Sequence, residues 1–330
     1  MLPIAIDANG GDKAPADIVE GARRARDELG VEILLVGTPD VAELAPDLPL
    51  LEASEVIAMD ADPGSSVRRM KDATLVRAAE AVRDGKASAM ISAGNTGATM
   101  GSALLRMGRI KGVKRPAIAT PLPVPSGGQT VLLDAGANAE CQPEWLLQFA
   151  QMGAAYATAR YDIADPRIGL LSIGEEPGKG DTLRKEAYRL LSADGVYSAS
   201  GGHFIGNVEG RDLMTGDVDV VVTDGFTGNV ALKSLEGGMK ALVNRLLEAF
   251  GATEETRAAA DVLMPALLPL YATLDPENTG GAMLLGVDGV CIISHGSSGP
   301  TAVVNAARVA RDLVAGDVVA ALAAAVAPTA

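Results

Sequence analysis

Aromatic residues are scarce in this chain, which has four Phe, five Tyr and one Trp among 330 residues. An interior built on stacked rings is excluded. Ala, Val, Leu and Ile must fill the core, which suits helices packed closely on a sheet. Cysteine is limited to Cys141 and Cys291, and neither has Cys-x-x-Cys or Cys-x-x-His company. No disulfide framework or zinc site follows, and a reducing, cytoplasmic setting is expected. Histidine is equally rare, so any Ser-His-Asp triad has to use His203 or His295. Positive charge is short as well: 28 Lys and Arg stand against 42 Asp and Glu, a net charge of −14. Nucleic acid is not an expected partner for such a chain. The charge-free runs 87–105, 116–133 and 289–307 hold too much Gly, Ser, Asn or Pro to span a membrane. Asp7 also interrupts the apolar start too early for a signal peptide. A soluble chain is expected, with surface attachment to a membrane left open.

Several catalytic signatures are missing too. GEEPGKG, residues 174–180, has three residues between Gly174 and Gly178 where a phosphate loop of the Walker type needs four, and Gly180 follows Lys179 where Ser or Thr is required. No GxGxxG fingerprint follows the first strand, and neither HExxH nor GxSxG occurs. No cofactor and no metal ion are expected.

What is present is a steady alternation. Residues 2–6, 31–36, 87–91, 116–120, 130–133, 167–173, 218–222 and 290–294 read as strands, with a weaker one at 55–58. Helical spacing follows Pro15 and recurs at 74–82, from a turn at 92–97 through 105, and at 145–156, 183–191, 229–250 and 300–322. Residues 62–66 read as a turn, and 254–271 as a helix broken at Pro265 and Pro269. Strands alternating with helices predict an α/β fold in three layers, α/β/α, around a largely parallel sheet. One domain is expected over 1–330, with a sub-domain crossing near 116–128 at PLPVPSGG.

Polar Gly, Asn, Asp and Ser clusters follow the strands that end at Ile6, Ile91, Ile173, Val222 and Ser294. Ligands of open α/β sheets bind at carboxyl strand ends, so these turns are expected to share one cleft at one end of the sheet. The segment 217–238 is the clearest case: a valine run, then Asp224-Gly225-Phe226-Thr227-Gly228-Asn229, then helical spacing. Two readings of that turn stay open, a generic capped connection and an anion site at a helix start. Basic residues bunch at Arg106, Arg109, Lys111, Lys114 and Arg115, with Arg68, Arg69 and Lys71 as a second group. Either bunch suits a solvated loop or an acidic partner.

IDANGGDKAP, SAGNTGA, RPAIATPLP, LLDAGAN, IGEEPGKG, FIGNVEGRD, VVVTDGFTGNVALKSLEG and GGAMLLGVDGVCIISHGSS, in this order, resemble the bacterial phosphate acyltransferase family of phospholipid synthesis. The resemblance runs over 4–311. It implies transfer of a fatty acyl group from acyl carrier protein to inorganic phosphate, giving acyl-phosphate for a downstream acyltransferase. A homodimer, an isocitrate-dehydrogenase-like fold and peripheral membrane contact are also implied. The chain departs from the family pattern at Asn9 (usually Met), Lys13 (His), Gln142 (Lys) and Thr279 (Tyr); Lys13 still supplies a cation.

That reaction asks little of a base, because phosphate at neutral pH is already largely dianionic, with a second pKa of about 6. A thiolate, with an ordinary pKa of about 8.5, leaves readily. The site has to hold an anion, orient it and stabilise an oxyanion. The expected catalytic groups are Asn229, His295, Lys179 and Thr227. Gly10, Gly11, Asp12, Gly94, Asn95, Thr96, Asn207, Arg211, Asp224 and Ser297 are expected to bind phosphate or thioester, and the first basic bunch to dock the carrier. Apolar residues 262–271 are a candidate membrane tip, dimer interface or core. The rival readings are a phosphate acetyltransferase-like enzyme using coenzyme A and a non-catalytic membrane scaffold.

Overall fold

Short apolar runs buried on both faces make the strands, and half-apolar helices cover them. In the computed structural model, which describes residues 1–274 and 276–327, strands β1 (Ile4–Asp7), β2 (Ile33–Gly37), β3 (Leu50–Glu52), β4 (Ala89–Ser92), β5 (Ala117–Pro123), β6 (Gln129–Leu133), β7 (Arg167–Leu171), β8 (His203–Val208), β9 (Val220–Val222), β10 (Ala282–Leu285) and β11 (Val290–Ile293) form one sheet. The helices are α1 (Ala16–Leu29), α2 (Asp40–Leu44), α3 (Pro63–Arg69), α4 (Thr74–Arg83), α5 (Thr96–Arg106), α6 (Pro143–Tyr161), α7 (Thr182–Leu191), α8 (Gly225–Phe250), α9 (Glu254–Leu274), α10 (Pro300–Ala315) and α11 (Val318–Ala325).

Alternate residues of each strand feed two separate cores. Ile4 and Ile6 of β1 belong to the core that also holds side chains of α1, α6, α10 and α11, while Ala5 belongs to the core with those of α3, α4 and α5. This is the expected three-layer α/β/α arrangement.

Strand order is β3-β2-β1-β4-β11-β10-β5-β6-β9-β7-β8. The block β3 to β11 is parallel, and so is the block β6, β9, β7, β8. Between them the pairs β11–β10, β10–β5 and β5–β6 are all antiparallel. Three reversals leave the second parallel block running opposite to the first. The expectation of one shared end is therefore corrected: the turns after β1, β4 and β11 lie at one end of the sheet, and those after β7 and β9 at the other.

Local differences have local causes. Asp224 caps α8 directly, so Gly225 to Asn229 is its first turn rather than a loop before it. The segment read as a turn at 62–66 becomes α3, capped by Asp62 with Pro63 at its first position. α9 runs through Pro265 and Pro269 without a break. Gly316 and Asp317, the latter left-handed at φ 49°, separate α10 from α11. The third strand is 50–52 rather than 55–58, where only a single bridge from Glu55 to Ala73 forms.

Past Leu235, α8 and α9 form a hairpin whose Leu242, Leu246, Leu247, Val262, Leu263 and Leu268 are exposed. The side chains of 270 and 271, also part of the candidate apolar tip, lie outside the described ones. Among the described residues no helix is long and apolar enough to cross a membrane.

Candidate active site

In the first block, β1 leads to β2 on one side while β4 lies on the other, so the crevice between β1 and β4 is a topological switch point. Glycines line its floor. A Cβ at Gly10 would collide with Asp7 Oδ2 and lie 2.8 Å from the Gly94 nitrogen. The Ser92 hydroxyl donates to Asp7 Oδ2 (2.7 Å) and accepts from the Gly94 amide (2.9 Å), which fixes the turn after β4 to β1. Burial raises the Asp7 pKa, against the opposing hydrogen bond from Ser92. The Asp12 amide donates to the Gly296 carbonyl (2.8 Å). A Cβ at Gly11, whose φ is +109°, would lie 3.1 Å from both Ala93 Cβ and the Gly296 oxygen. Residues 10–13, 93–97 and 295–299 thus converge.

Asn95 has a framework role here. Its Oδ1 accepts from the Ala98 amide (3.0 Å) as the cap of α5, and its Nδ2 donates to the carbonyls of Met59 (2.9 Å) and Ala61 (3.0 Å). The amides of Thr96 and Gly97 are left outside the intrahelical ladder, and Thr96 is exposed. His295 Nδ1 lies 2.8 Å from Ser297 Oγ and accepts from the Ser297 amide at 3.3 Å. The neutral ring then carries its proton on Nε2. Both His295 and Ser297 are exposed, as are Asp12 and Lys13. A Cβ at Gly299 would lie 3.1 Å from Glu277 Oε1 and 3.6 Å from Lys13 Nζ, so Lys13 reaches the start of α10.

The second crevice, between β9 and β7, is closed by its own hydrogen bonds. Asp224 Oδ1 accepts from the Thr227 amide (2.9 Å), and Oδ2 accepts from the Thr227 hydroxyl (2.8 Å) and from Arg184. Arg184 also donates to Thr227 Oγ1 (3.0 Å), Asp181 Oδ2 (2.8 Å) and the Leu171 carbonyl (3.3 Å). Burial pushes the Asp224 pKa up, but the Thr227 and Arg184 donors outweigh it and the net shift is downward. The Gly225 amide donates to the Asn138 carbonyl (2.7 Å), so this helix start is largely committed. Asn138 belongs to a turn organised by buried Asp134, whose carboxylate accepts from the amides of Ile118, Gly136, Ala137 and Asn138 and from Asn138 Nδ2.

Other expected ligands of this crevice are engaged or remote. Asn207 is buried with its Nδ2 on the Glu176 carbonyl (2.8 Å). Lys179 faces Glu176 at 4.0 Å, and exposed Arg211 pairs with Glu175 (3.0 Å) and Glu209 (2.8 Å). Asn229 is exposed beside Gly136. Arg184 escaped the sequence reading, although a basic residue three positions after a helix-capping Asp was a usable signal.

The basic loop lies at the same sheet end as the second crevice, because Asn138 Nδ2 donates to the Pro116 carbonyl (2.8 Å). Arg106 turns away onto Glu80 at 3.6 Å, so it is not part of the exposed patch. Arg109, Lys111, Lys114 and Arg115 are exposed. Neither thiol is a competent nucleophile: burial pushes Cys141 and Cys291 up to about 12. Among the described residues, no group of three or more His, Cys, Asp or Glu side chains is placed to hold a metal ion.

Comparison with known proteins supplies an independent line. The family model described as fatty acid synthesis protein matches residues 2–321. The chain is 49% identical over 322 residues to a phosphate acyltransferase of Elusimicrobium minutum, covering 95% of this chain and 92% of that one. It is 48% identical over 330 residues to the phosphate acyltransferase of Heliobacterium modesticaldum, covering 97% and 96%. Among solved structures, a phosphotransacetylase from Staphylococcus aureus shares the fold, with a TM-score of 0.62 at 15% identity, over 95% of this chain and 94% of that one. A branched-chain phosphotransacylase from Enterococcus faecalis does likewise, with a TM-score of 0.59 at 15% identity, over 95% and 100%.

Proposed function

Because the chain belongs to the fatty acid synthesis protein family of phosphate acyltransferases, and is therefore an acyltransferase, we propose that it moves a fatty acyl group from acyl carrier protein to inorganic phosphate. The product is acyl-phosphate, a substrate for a downstream acyltransferase, and the reaction runs in the cytoplasm. One observation carries the choice of site. The β1/β4 crevice presents exposed donors over a glycine floor, whereas Thr227 and Arg184 of the β9/β7 crevice are spent on Asp224 and Asp181.

Phosphate sits over Gly10, Gly11 and Gly94, taking hydrogen bonds from the Thr96 and Gly97 amides and the Thr96 hydroxyl, with Lys13 adding charge. A phosphate oxygen attacks the thioester carbonyl, the tetrahedral oxyanion collapses, and the C–S bond breaks to release the carrier thiolate. His295 Nε2–H is the group able to donate to the oxyanion or to the departing sulfur. Ser297, through Nδ1, holds the ring in that tautomer. The elevated thiol pKa values support direct attack by phosphate, since no acyl-cysteine can form readily. Asn95 acts as framework for these loops, and Asp224, Thr227 and Asn207 as framework at the other end of the sheet.

The deciding assay is phosphate-dependent release of free thiol, run with acyl carrier protein and with acyl-coenzyme A. Carrier-dependent release, with acyl-phosphate trapped as a hydroxamate, is the expected result. Thiol release that ignores phosphate would describe a thioesterase, and preference for coenzyme A would favour the acetyltransferase-like reading. Thr96→Val should raise the KM for phosphate about tenfold, the worth of one hydrogen bond to a charged group. An unchanged phosphate KM moves the seat elsewhere.

Carrier proteins are acidic, and the exposed cations of the 109–115 loop are the complementary patch in a chain of net charge −14. Reversing Arg109 and Lys111 to Glu should raise the carrier KM about tenfold, with the phosphate dependence intact. Equal damage to both substrates would point to misfolding instead. The exposed apolar residues of the α8–α9 hairpin supply a homodimer interface and a peripheral membrane contact. Leu263→Glu with Leu268→Glu should weaken dimerisation in sedimentation or liposome flotation; a variant unchanged in both removes that role.

A further inference from the structure

The basic loop surrounds a groove of about 570 Å³ lined by Leu104, Arg109, Lys114, Arg115, Pro116 and Trp145. The backbone of this loop is held in place, and the Arg109 guanidinium donates to its Lys114 carbonyl. The Gln148 side chain clamps the loop from both directions, accepting from the Lys114 amide (2.8 Å) and donating to the Gly112 carbonyl (3.0 Å). The Ile110 amide ties it to the Gly286 carbonyl (3.1 Å), and Gly108 and Gly112 adopt the left-handed φ values of 86° and 97° that its tight course requires. Arg115 lies over the Trp145 ring, 4.9 Å from its centroid. A guanidinium placed over an indole face still has N–H groups to offer a phosphate, which Arg binds well. Among the described residues, none of Arg109, Lys114 and Arg115 forms an ion pair, in contrast to Arg106.

The groove also has a track leading away from it. α5 runs from the β1/β4 crevice back to the basic loop, and Thr96, Met100 and Leu104 stand at i, i+4 and i+8 on one half-open ridge. Its 11 residues span about 16 Å. A phosphopantetheine arm has about 13 bonds between phosphorus and sulfur, or roughly 15 Å when extended at the per-bond advance of an extended backbone. The two lengths agree.

We propose that this groove seats the phosphate of the carrier's prosthetic arm, and that the Thr96–Met100–Leu104 ridge of α5 guides the arm so that its thioester reaches the β1/β4 crevice. The inference rests on the carrier-dependent reading above. It adds that part of the recognition belongs to the arm and not to the carrier's protein surface.

The test uses two minimal donors with the same acyl chain, acyl-4′-phosphopantetheine and acyl-pantetheine, beside acyl carrier protein. The wild-type enzyme should show a KM about tenfold lower for the phosphorylated donor, about 1.4 kcal/mol. Lys114→Ala with Arg115→Ala should bring the ratio of the two KM values close to one. Free phosphopantetheine should also inhibit the wild-type enzyme more strongly than pantetheine, a comparison that needs no variant. Equal KM values for the two donors in the wild type, or a variant that keeps the discrimination, overturns the proposal. Minimal donors that are inert while the intact carrier is consumed also overturn it, since docking would then belong to the protein surface. Failure of every donor, the carrier included, to give phosphate-dependent thiol release sinks the underlying reading and the inference with it.

Discussion

Gly228→Ala is expected to cost at least about 3 kcal/mol of folding stability, at the upper end of what overpacking usually costs. A Cβ at this position would collide with the Asp134 carbonyl oxygen and lie 3.0 Å from both the Asp134 carbonyl carbon and Thr223 Cγ2. The obstacle is backbone. That backbone is held by five hydrogen bonds to the Asp134 carboxylate, so it has little room to yield. The first turn of α8 must therefore back away from β6, and the Gly225 amide loses the Asn138 carbonyl. Gly237, on the same helix, has nothing within 4 Å of its Cβ position. Gly237→Ala should stabilise the helix by up to about 1 kcal/mol, so the two variants move in opposite directions. Urea unfolding of both, compared with the wild type, decides the matter. A Gly228→Ala midpoint equal to that of wild type would mean that α8 docks differently.

Asp224→Ala is the second large effect, a loss of about 3 kcal/mol. The substitution removes a helix cap worth about 1 kcal/mol and leaves Arg184, only 11% exposed at its side chain, without its closest partner. The loss stays at the lower end of the range for a broken buried pair because Asp181 still holds the guanidinium at 2.8 Å. Removing the stranded charge as well, in Asp224→Ala with Arg184→Leu, should recover part of the loss. A double variant no more stable than Asp224→Ala alone would show that the pair is not the source. The sign with pH follows from the lowered Asp224 pKa. The stabilisation is fully present above the unfolded carboxyl pKa of about 3.9 and is lost as pH falls through the depressed folded value. The gap between wild type and variant should accordingly be full at neutral pH and shrink below about pH 4.

The first helical turn of α8 shows how differently a residue reads alone and in place. As a string, Asp224 to Asn229 looked like a turn offering Thr and Asn donors to an anion. In place, Thr227 is consumed by Asp224 and Arg184, and the glycines exist to let the helix dock on 134–138. Asn95 tells the same story, its amide protons going to carbonyls 34 and 36 residues away. Thr96 and His295, by contrast, are exposed.

By itself the sequence determined the three-layer α/β class, most of the elements and the family. Those properties are carried by composition, by hydrophobic period and by motifs local to a few residues. Only the tertiary structure decided the direction of the second parallel block. That direction depends on β10 pairing antiparallel with both β11 and β5, and the latter brings Met283 to Ala119 across about half the chain. A strand's period identifies its faces but not its sense, so the division of the polar turns between two sheet ends was not legible beforehand. Arg184 was signalled only by its place three residues after a capping Asp, because its partners Leu171, Asp224 and Thr227 meet only once β7 and β9 lie side by side.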